Sequence, residues 1–469
     1  MSALVAFVAC LCFILWLFAG DVKSRPKVSA ALWIPLIWAL IMASRPVSDW
    51  FGYNGREGDL ASNYDAGNPV QRNFYLVVMA ASFMVLWRRR VSLRAVIRDN
   101  RWLFVFYLYW ALSVLWSDAP FITFKRWFKD LGNVLIVLVI LTETDPIEAA
   151  RTVFVRCAYV LVPLSLLFIR YIPELGRRYD YAGNVMYAGA CANKNGLGSL
   201  VLVSGLFLFW DLFSEFGKEA GSRQHGGVLS RILLLAMMVW IVRLADCATA
   251  LVCILTGMSI FFCLRMPFVK RNLRFMEVYL ALGALVFVGL NSMLDLRGML
   301  LHSLGRNETL TTRTDLWDFL PHHQSNMLFG AGFNTFWSGE RLRDIWQTFP
   351  GILQAHNGYL ETYLDGGVLG VGFLLAWLWS ASRRIKKSVM EDADFASVRM
   401  MFLCIAVIYN WTEAAFNEIS LVWLVLLLVA IEPPGSYRVP AEIPVSGIQE
   451  DEAAAELAGG APRRSGFGA

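Results

Sequence analysis

Two residues in one long polar stretch, Arg313 and His356, have the types and positions that chemistry at a membrane surface requires. The stretch runs from Asn291 to Gly367 in an otherwise apolar sequence. His356 stands where a membrane helix is predicted to begin, and the positive end of the helix dipole disfavours imidazolium. A neutral imidazole there can accept a proton from a hydroxyl group, and the planar Arg313 guanidinium suits a phosphate. The alternative is that His356 only caps the helix.

Other cations stand in segments that we predict on the same side of the membrane as Arg313. They are Lys125, Arg126, Arg177, Arg178 and Lys194. Together with the helix start at Asn357, they favour a substrate site for a diphosphate. The alternative is that these side chains snorkel or lie in solvent. Glu413 lies at membrane depth, where a carboxylate is costly to bury, so we predict that it joins this site or pairs with a nearby arginine.

The sequence has no pattern for a metal site or for another cofactor. His, Asp and Glu residues do not fall at metal-ligand spacing, and the eight cysteines are scattered. We therefore predict a reaction without a metal ion or a cofactor. The net charge of +5 reflects Lys and Arg at membrane faces, so nucleic acid is not an expected partner.

Composition predicts an all-α polytopic membrane protein. Hydrophobic residues make up 57% of the chain and charged residues 17%, whereas soluble domains have about 45–50% and about 25%. Hydropathy predicts about 12–13 transmembrane helices. The candidate spans are 3–19, 28–44, 73–87, 102–116, 127–142, 153–169, 196–213, 230–245, 248–264, 275–290, 357–379, 397–412 and 418–431.

Basic clusters predict the orientation, because cytoplasmic loops carry an excess of Lys and Arg. The segments predicted to face outward are 45–72, 117–126, 170–195 and 291–356. We assign residues 1–431 to a transmembrane domain in which 291–356 form a long helical periplasmic loop. Residues 432–469, rich in Pro, Gly, Ala and charge, are predicted to be a disordered cytoplasmic tail.

Two local features are expected around this loop. Thr311 or Thr312 is predicted to cap a short helix that runs to Leu320 and stops at Pro321. The sequence Asp365-Gly366-Gly367 is predicted to interrupt the membrane helix that follows His356.

Several motifs occur in the order known from one family. They are ALSVLWSDAPFITFKRW at 111–127, GACANKNGLG at 189–198, TTRTDLW at 311–317, HNGYLETYLDGGVLGV at 356–371 and NWTEAAFNEISLVWL at 410–424. This set resembles the O-antigen ligase and exopolysaccharide polymerase superfamily, whose members share the Wzy-type C-terminal domain. The spellings are most similar to the exopolysaccharide polymerase branch. One departure is Asn193, where the family often has His before the Lys-Asn pair.

The resemblance implies a GT-C-like fold and a metal-independent, inverting glycosyltransferase of the bacterial inner membrane. It implies a substrate built on undecaprenyl diphosphate and used at the periplasmic face. In this family His356 would activate the acceptor hydroxyl, and Arg313 with the other outward cations would hold the diphosphate. Membrane lipid, a flippase and a chain-length regulator of the same pathway are further expected partners.

Three functions remain to be weighed. We predict a polymerase that joins lipid-linked oligosaccharide repeats, and the alternative is a ligase that transfers a finished glycan to lipid A core. A polysaccharide or lipid transporter fits less well. Transporters often have internal repeats and ionisable groups along mid-membrane helices, whereas this sequence gathers such groups at one face.

Overall fold

Helices make up most of the residues described by the structure, a computed structural model. These residues are 2–24, 28–52, 64–179, 183–216, 225–245, 247–272, 311–324, 326–391 and 394–434. They belong to one unit, residues 1–437, and a second unit comprises 438–469. The predicted span 275–290, residues 291–310 of the long loop and residues 435–469 of the predicted tail lie outside the described residues.

The first part of the chain is helical up to a short β-hairpin. Its helices are α1 (Ala3–Ser24), α2 (Trp33–Ala43), α3 (Val47–Trp50), α4 (Pro69–Arg88), α5 (Leu93–Asp99), α6 (Arg101–Leu112), α7 (Pro120–Leu141), α8 (Pro146–Tyr171) and α9 (Pro173–Gly176). The hairpin strands β1 (Arg177–Tyr179) and β2 (Val185–Tyr187) pair antiparallel, with Arg177 opposite Tyr187.

The second part contains further helices and the described half of the long loop. They are α10 (Lys194–Phe216), α11 (His225–Ala245), α12 (Ala248–Cys263), α13 (Pro267–Asn272), α14 (Thr311–Phe319), α15 (Gly339–Thr348), α16 (Gly358–Glu391), α17 (Asp394–Tyr409) and α18 (Leu421–Ala430). Turns of 3-10 helix occur at Ala30–Leu32, Ser113–Leu115 and Leu320–His323.

The prediction of an all-α polytopic membrane protein is confirmed. Within the described residues, six helices are long and apolar enough to cross a membrane, and shorter apolar helices accompany them. Every predicted span except 275–290 coincides with a described helix.

The shortest apolar helix, α18, lies in the centre of the bundle. All ten of its residues are buried. A helix that is apolar on every side is stable only when it is surrounded, and α18 packs against α7 and α17. Ser420 begins it by accepting the Trp423 amide at 3.2 Å. The indole of Trp423 then donates to Asp130 at 3.0 Å, which satisfies a buried carboxylate.

The bundle has two ends, which we name by one residue each. At the Asp65 end, Asp65 pairs with Arg126 at 3.3 Å. At the Glu432 end, Glu432 pairs with Arg399 at 2.6 Å. Its backbone amide also donates to the Asn100 side chain at 2.8 Å.

Basic segments collect at the Glu432 end. Residues 88–101 lie there, because Asn100 contacts Glu432 and because α4 runs about 30 Å away from the Asp65 end. Residues 383–387 lie there too, since Arg384 donates to Ala430 O at 3.1 Å.

Helix α16 is interrupted where the sequence predicted. Gly367 has φ 59° and ψ −163°, so the backbone there is not helical. The break frees backbone groups that bind the long loop: Gly332 N donates to Asp365 O at 2.8 Å, and Val368 N donates to Met327 O at 2.9 Å. A β-carbon at Gly367 would collide with the backbone of Leu328. The kink therefore docks the loop onto the membrane helix.

Candidate functional site

Helix α14 carries Arg313 and rests on the loop's own small core. Leu316 and Leu320 are buried in that core. Trp317 donates its indole N–H to Ala355 O at 2.7 Å, directly before His356. The helix ends at Phe319, one residue earlier than predicted, and the side chains of Thr311 and Thr312 lie outside the described ones.

Glu413 brings the predicted catalytic residues together. Its Oε1 lies 3.2 Å from Nη2 of Arg313, and its Oε2 lies 3.4 Å from Nδ1 of His356. Asn195 donates its side-chain amide to the same Oε2 at 2.9 Å. Arg313 is fixed a second time, because its Nη1 donates to Thr412 O at 2.6 Å.

The exposure of these groups suits a site that receives a ligand. The Glu413 side chain is 8% exposed, whereas the side chains of Arg313 and His356 are each 26% exposed. The carboxylate is thus held inside, and the imidazole and guanidinium reach the surface from it. A buried carboxylate with three donors around it is well satisfied.

The backbone around His356 is clamped to the turn that carries Glu413. Gly358 N donates to Asn410 O at 2.8 Å and to Glu413 O at 3.1 Å. A β-carbon at Gly358 would collide with the Asn410 side chain, so only glycine permits this approach. His356 itself has φ 52°, a left-handed conformation that non-glycine residues rarely adopt. This strain is consistent with a residue placed for function.

Asn357, predicted to bind substrate, has a structural partner set. Its Oδ1 accepts the backbone amides of Tyr359 and Leu360 at 3.0 and 3.1 Å, which caps α16. The predicted helix start at this position is therefore present. Asn is a favoured N-cap residue, so the residue type at position 357 is itself a signal for this capping role.

Arg126 and Lys125 form a separate cluster. Arg126 donates to Asn334 O, to Ser338 Oγ at 3.1 Å and to Asp65 at 3.3 Å, and its guanidinium lies 4.7 Å from the centroid of the Tyr64 ring.

Lys125 donates to the backbone oxygen of the same acid, Asp65 O, at 3.2 Å. Arg126 and Lys125 thus both bind residues in the loops at the Asp65 end.

Arg177 and Arg178 belong to the β-hairpin. Arg177 donates to Ile169 O at 3.2 Å and lines a groove of about 420 Å³ between α1, α8 and α11, which we name the Arg177 groove. Arg178 is exposed beside the buried Arg45. Burial of the Arg45 guanidinium lowers the pKa of Arg45, and the positive charge of Arg178 lowers that pKa further.

Lys194 is the first residue of α10 and is half-buried. Among the described residues, no group forms a hydrogen bond or an ion pair with its side chain. The adjacent Asn195 is the residue that contacts Glu413. The motif around Lys194 was recognised in the sequence, but the part of Asn195 was missed because a single amide carries no charge signal.

The arrangement can support proton transfer beside an anion. With Nδ1 facing Glu413, the carboxylate favours the tautomer that carries its proton on Nδ1 and leaves Nε2 as the acceptor. The positive charge of Arg313 lies beside the other carboxylate oxygen, Oε1 of Glu413. Within the described residues, no group of His, Cys, Asp and Glu has the arrangement of a metal site.

A helical bundle that can cross a membrane many times, with this cluster at one end, defines a multi-pass membrane protein with a candidate site at its surface. Residues 232–375 match the family model described as O-antigen ligase. The chain is also 27% identical over 311 residues to the exopolysaccharide production protein ExoQ of Rhizobium meliloti (strain 1021). That alignment covers 62% of this chain and 67% of the relative.

These matches confirm the predicted resemblance to the O-antigen ligase and exopolysaccharide polymerase superfamily. The family model contains Arg313 and His356, whereas Asn195 and Glu413 lie outside its limits. The cluster therefore combines residues from inside and outside the matched segment.

Proposed function

We propose that the protein is a polysaccharide polymerase that joins undecaprenyl-diphosphate-linked oligosaccharide repeats at the periplasmic face of the bacterial inner membrane. The observation that carries this proposal is the contact of Arg313 and His356 with one carboxylate, Glu413, at the start of a kinked membrane helix. The similarity to the superfamily supports an enzyme of the glycosyltransferase or ligase type.

In the proposed reaction, His356 is the general base. Its Nε2 takes the proton of an acceptor hydroxyl while that oxygen attacks the anomeric carbon of the donor sugar. The bond from this carbon to the diphosphate oxygen breaks, the configuration inverts, and undecaprenyl diphosphate leaves with the bonding electrons. Glu413 stabilises the imidazolium that forms.

Arg313 is proposed to hold the departing diphosphate. A guanidinium has five N–H donors, and Thr412 and Glu413 each accept one from Arg313. The others can bind phosphate oxygens, and Lys194 can add a second positive charge beside Asn195. Fixed cations of this kind neutralise the leaving group as a divalent ion does in other enzymes.

The lipid part of a substrate is proposed to occupy the Arg177 groove. The groove is lined mainly by apolar residues of three helices, and Arg170 and Arg177 are its basic lining residues. An apolar channel with cations suits a prenyl chain that ends in a diphosphate. The groove is thus proposed to hold one of the two lipid-linked substrates that a polymerase needs.

The deciding assay supplies the purified protein, reconstituted in liposomes, with a lipid-linked repeat as its only sugar substrate. A ladder of longer lipid-linked chains is the expected product. If nothing forms until lipid A core is added and the product then appears on that core, the protein is a ligase. The same assay in EDTA should keep its rate, and rescue by magnesium or manganese after EDTA treatment would contradict metal independence.

The proposed orientation places the Asp65 end in the periplasm. Its support is the collection of basic segments at the Glu432 end. Gln347→Cys, on exposed α15, and Arg94→Cys, on exposed α5, test it in a cysteine-free background. An impermeant thiol reagent should label only Gln347→Cys in intact spheroplasts, and labelling of Arg94→Cys instead would invert the topology.

A further inference from the structure

A second groove lies at the Glu432 end, and we name it the Arg90 groove. It has a volume of about 580 Å³ and is formed by the end of α4, the following turn, α5 and α7. Among the described residues, Arg90 is the only charged residue that lines it. Around it, Phe83, Trp87 and Leu93 are 56%, 71% and 69% exposed. Large apolar side chains so exposed at the end of a membrane helix indicate contact with lipid.

The chain around this groove carries uncompensated positive charge. Its exposed arginines are Arg88, Arg90, Arg94, Arg98 and Arg101. Within the described residues, only Arg98 among them has a carboxylate partner, Asp99 at 3.0 Å. Arg89 differs from these five because it is directed inward to Glu143. The exposed arginines therefore remain available to an anion from outside the protein.

Arg90 also occupies a backbone position that favours glycine. Its φ is 52°. Its amide donates to Trp87 O at 2.9 Å, and Val91 N donates to Leu86 O at 3.1 Å, which closes the end of α4. Glycine is the usual residue at this point of such a helix end, because it adopts positive φ without strain. Here the strained position instead presents a cation to the groove.

We propose that the Arg90 groove binds a phospholipid with an anionic headgroup, such as phosphatidylglycerol. An acyl chain lies against the apolar wall that includes Leu86 and Leu135, and Arg90 with its neighbours holds the headgroup phosphate. A zwitterionic headgroup would place its own cation among these arginines, whereas an anionic headgroup adds none. Basic pockets between membrane helices bind anionic lipids by this combination.

The lipid site is separate from the proposed reaction. Helix α4 is about 30 Å long and begins at the Asp65 end. The candidate catalytic cluster lies at that end, because Arg126 donates to Asn334 O and the Asn334 side chain donates to Asn417 O, four positions after Glu413. The bound lipid is therefore expected to seat the bundle in its membrane rather than to enter the glycosyl transfer. Failure of either proposal leaves the other intact.

The test measures retained lipid on the full-length protein. The chain is purified from vesicles of phosphatidylcholine that contain phosphatidylglycerol as a minor component, and the bound lipids are weighed by native mass spectrometry. Phosphatidylglycerol should be enriched over its share of the vesicle. Arg90→Gly should lower the enrichment about fivefold, and the triple variant Arg88→Gln, Arg90→Gly, Arg94→Gln about a hundredfold.

Two features keep this test decisive. Glycine fits the φ of Arg90, so Arg90→Gly should unfold no earlier than the parent in pure phosphatidylcholine. Arg383→Gln is the matched control, because it removes one exposed positive charge from the same end without touching the groove. An equal loss of enrichment in Arg383→Gln and Arg90→Gly would indicate diffuse surface attraction and overturn the site. Retention of phosphatidylglycerol by the parent protein in no more than its share of the vesicle would overturn it as well.

Discussion

The Asp65 end contains several arginine–carboxylate pairs, and two of them differ in what surrounds them. Arg313 meets Glu413, which also faces His356, and the arginine and histidine side chains are each 26% exposed. Arg126 meets Asp65, and its other donors go to Asn334 and Ser338. The Arg126 and Asp65 side chains are 13% and 18% exposed.

We interpret the first pair as part of the proposed catalytic cluster and the second pair as a clamp. The carboxylate of the first pair faces the imidazole that we propose as the general base. The second pair ties loops together, because Asp65 also accepts the amide of Gly339, the first residue of α15, at 3.1 Å. The same residue types are thus proposed to serve chemistry in one place and positioning in the other.

The largest effect is expected from His356→Ala. Loss of a general base typically lowers the rate about 10²- to 10⁴-fold, so polymer should disappear while expression and membrane insertion persist. His322→Ala, at an exposed turn of the same loop, is the control and should be nearly neutral. Near-normal polymer length from His356→Ala would remove His356 from the mechanism.

Arg313→Ala should lower the turnover number about 10²- to 10³-fold, because it removes a fixed charge from the leaving group. Arg313→Lys should restore little, since one ammonium cannot bind Thr412, Glu413 and a diphosphate in the same geometry. Turnover is compared with that of Arg126→Ala after correction for folded protein. A larger loss in Arg126→Ala would reverse the assignment of the two pairs.

Glu413→Gln should have an intermediate effect, about tenfold on turnover, because the amide can still accept from Nδ1 of His356 but carries no charge. Without the neighbouring negative charge, the imidazolium that forms in the proposed transfer is less stabilised, so turnover should fall while KM changes little. Glu340→Gln, at the exposed start of α15, is the control. Turnover as high as that of Glu340→Gln would leave Glu413 with a purely structural role.

The smallest effect on turnover is expected from Arg126→Ala, whose main cost should be stability. It removes a charged hydrogen-bond network worth about 2 kcal/mol, so thermal unfolding should begin at lower temperature. Turnover per folded molecule should stay within about threefold of the parent. Lys125→Ala, which loses contacts to two backbone oxygens and to the Phe121 ring, should cost less.

The sequence alone determined the class of membrane protein, the spans that coincide with described helices and the interruption at Gly367. These follow from local rules, since a run of apolar residues must be helical in a bilayer and a Gly-Gly pair tolerates a break. The motifs around Arg313 and His356 also indicated the resemblance to the superfamily.

Only the tertiary structure decided which polar residues meet. Glu413 lies 57 positions from His356 and 218 from Asn195, and no local pattern relates residues so far apart. Arg126 and Arg313 are chemically identical, so composition and spacing assigned both to the substrate. Their burial and partners differ because the loop at 334–338 covers Arg126, whereas Arg313 contacts the turn at Thr412 and Glu413 and stays more exposed. Tertiary packing decides which arginine is covered, and the order of residue types along the chain does not reveal that packing.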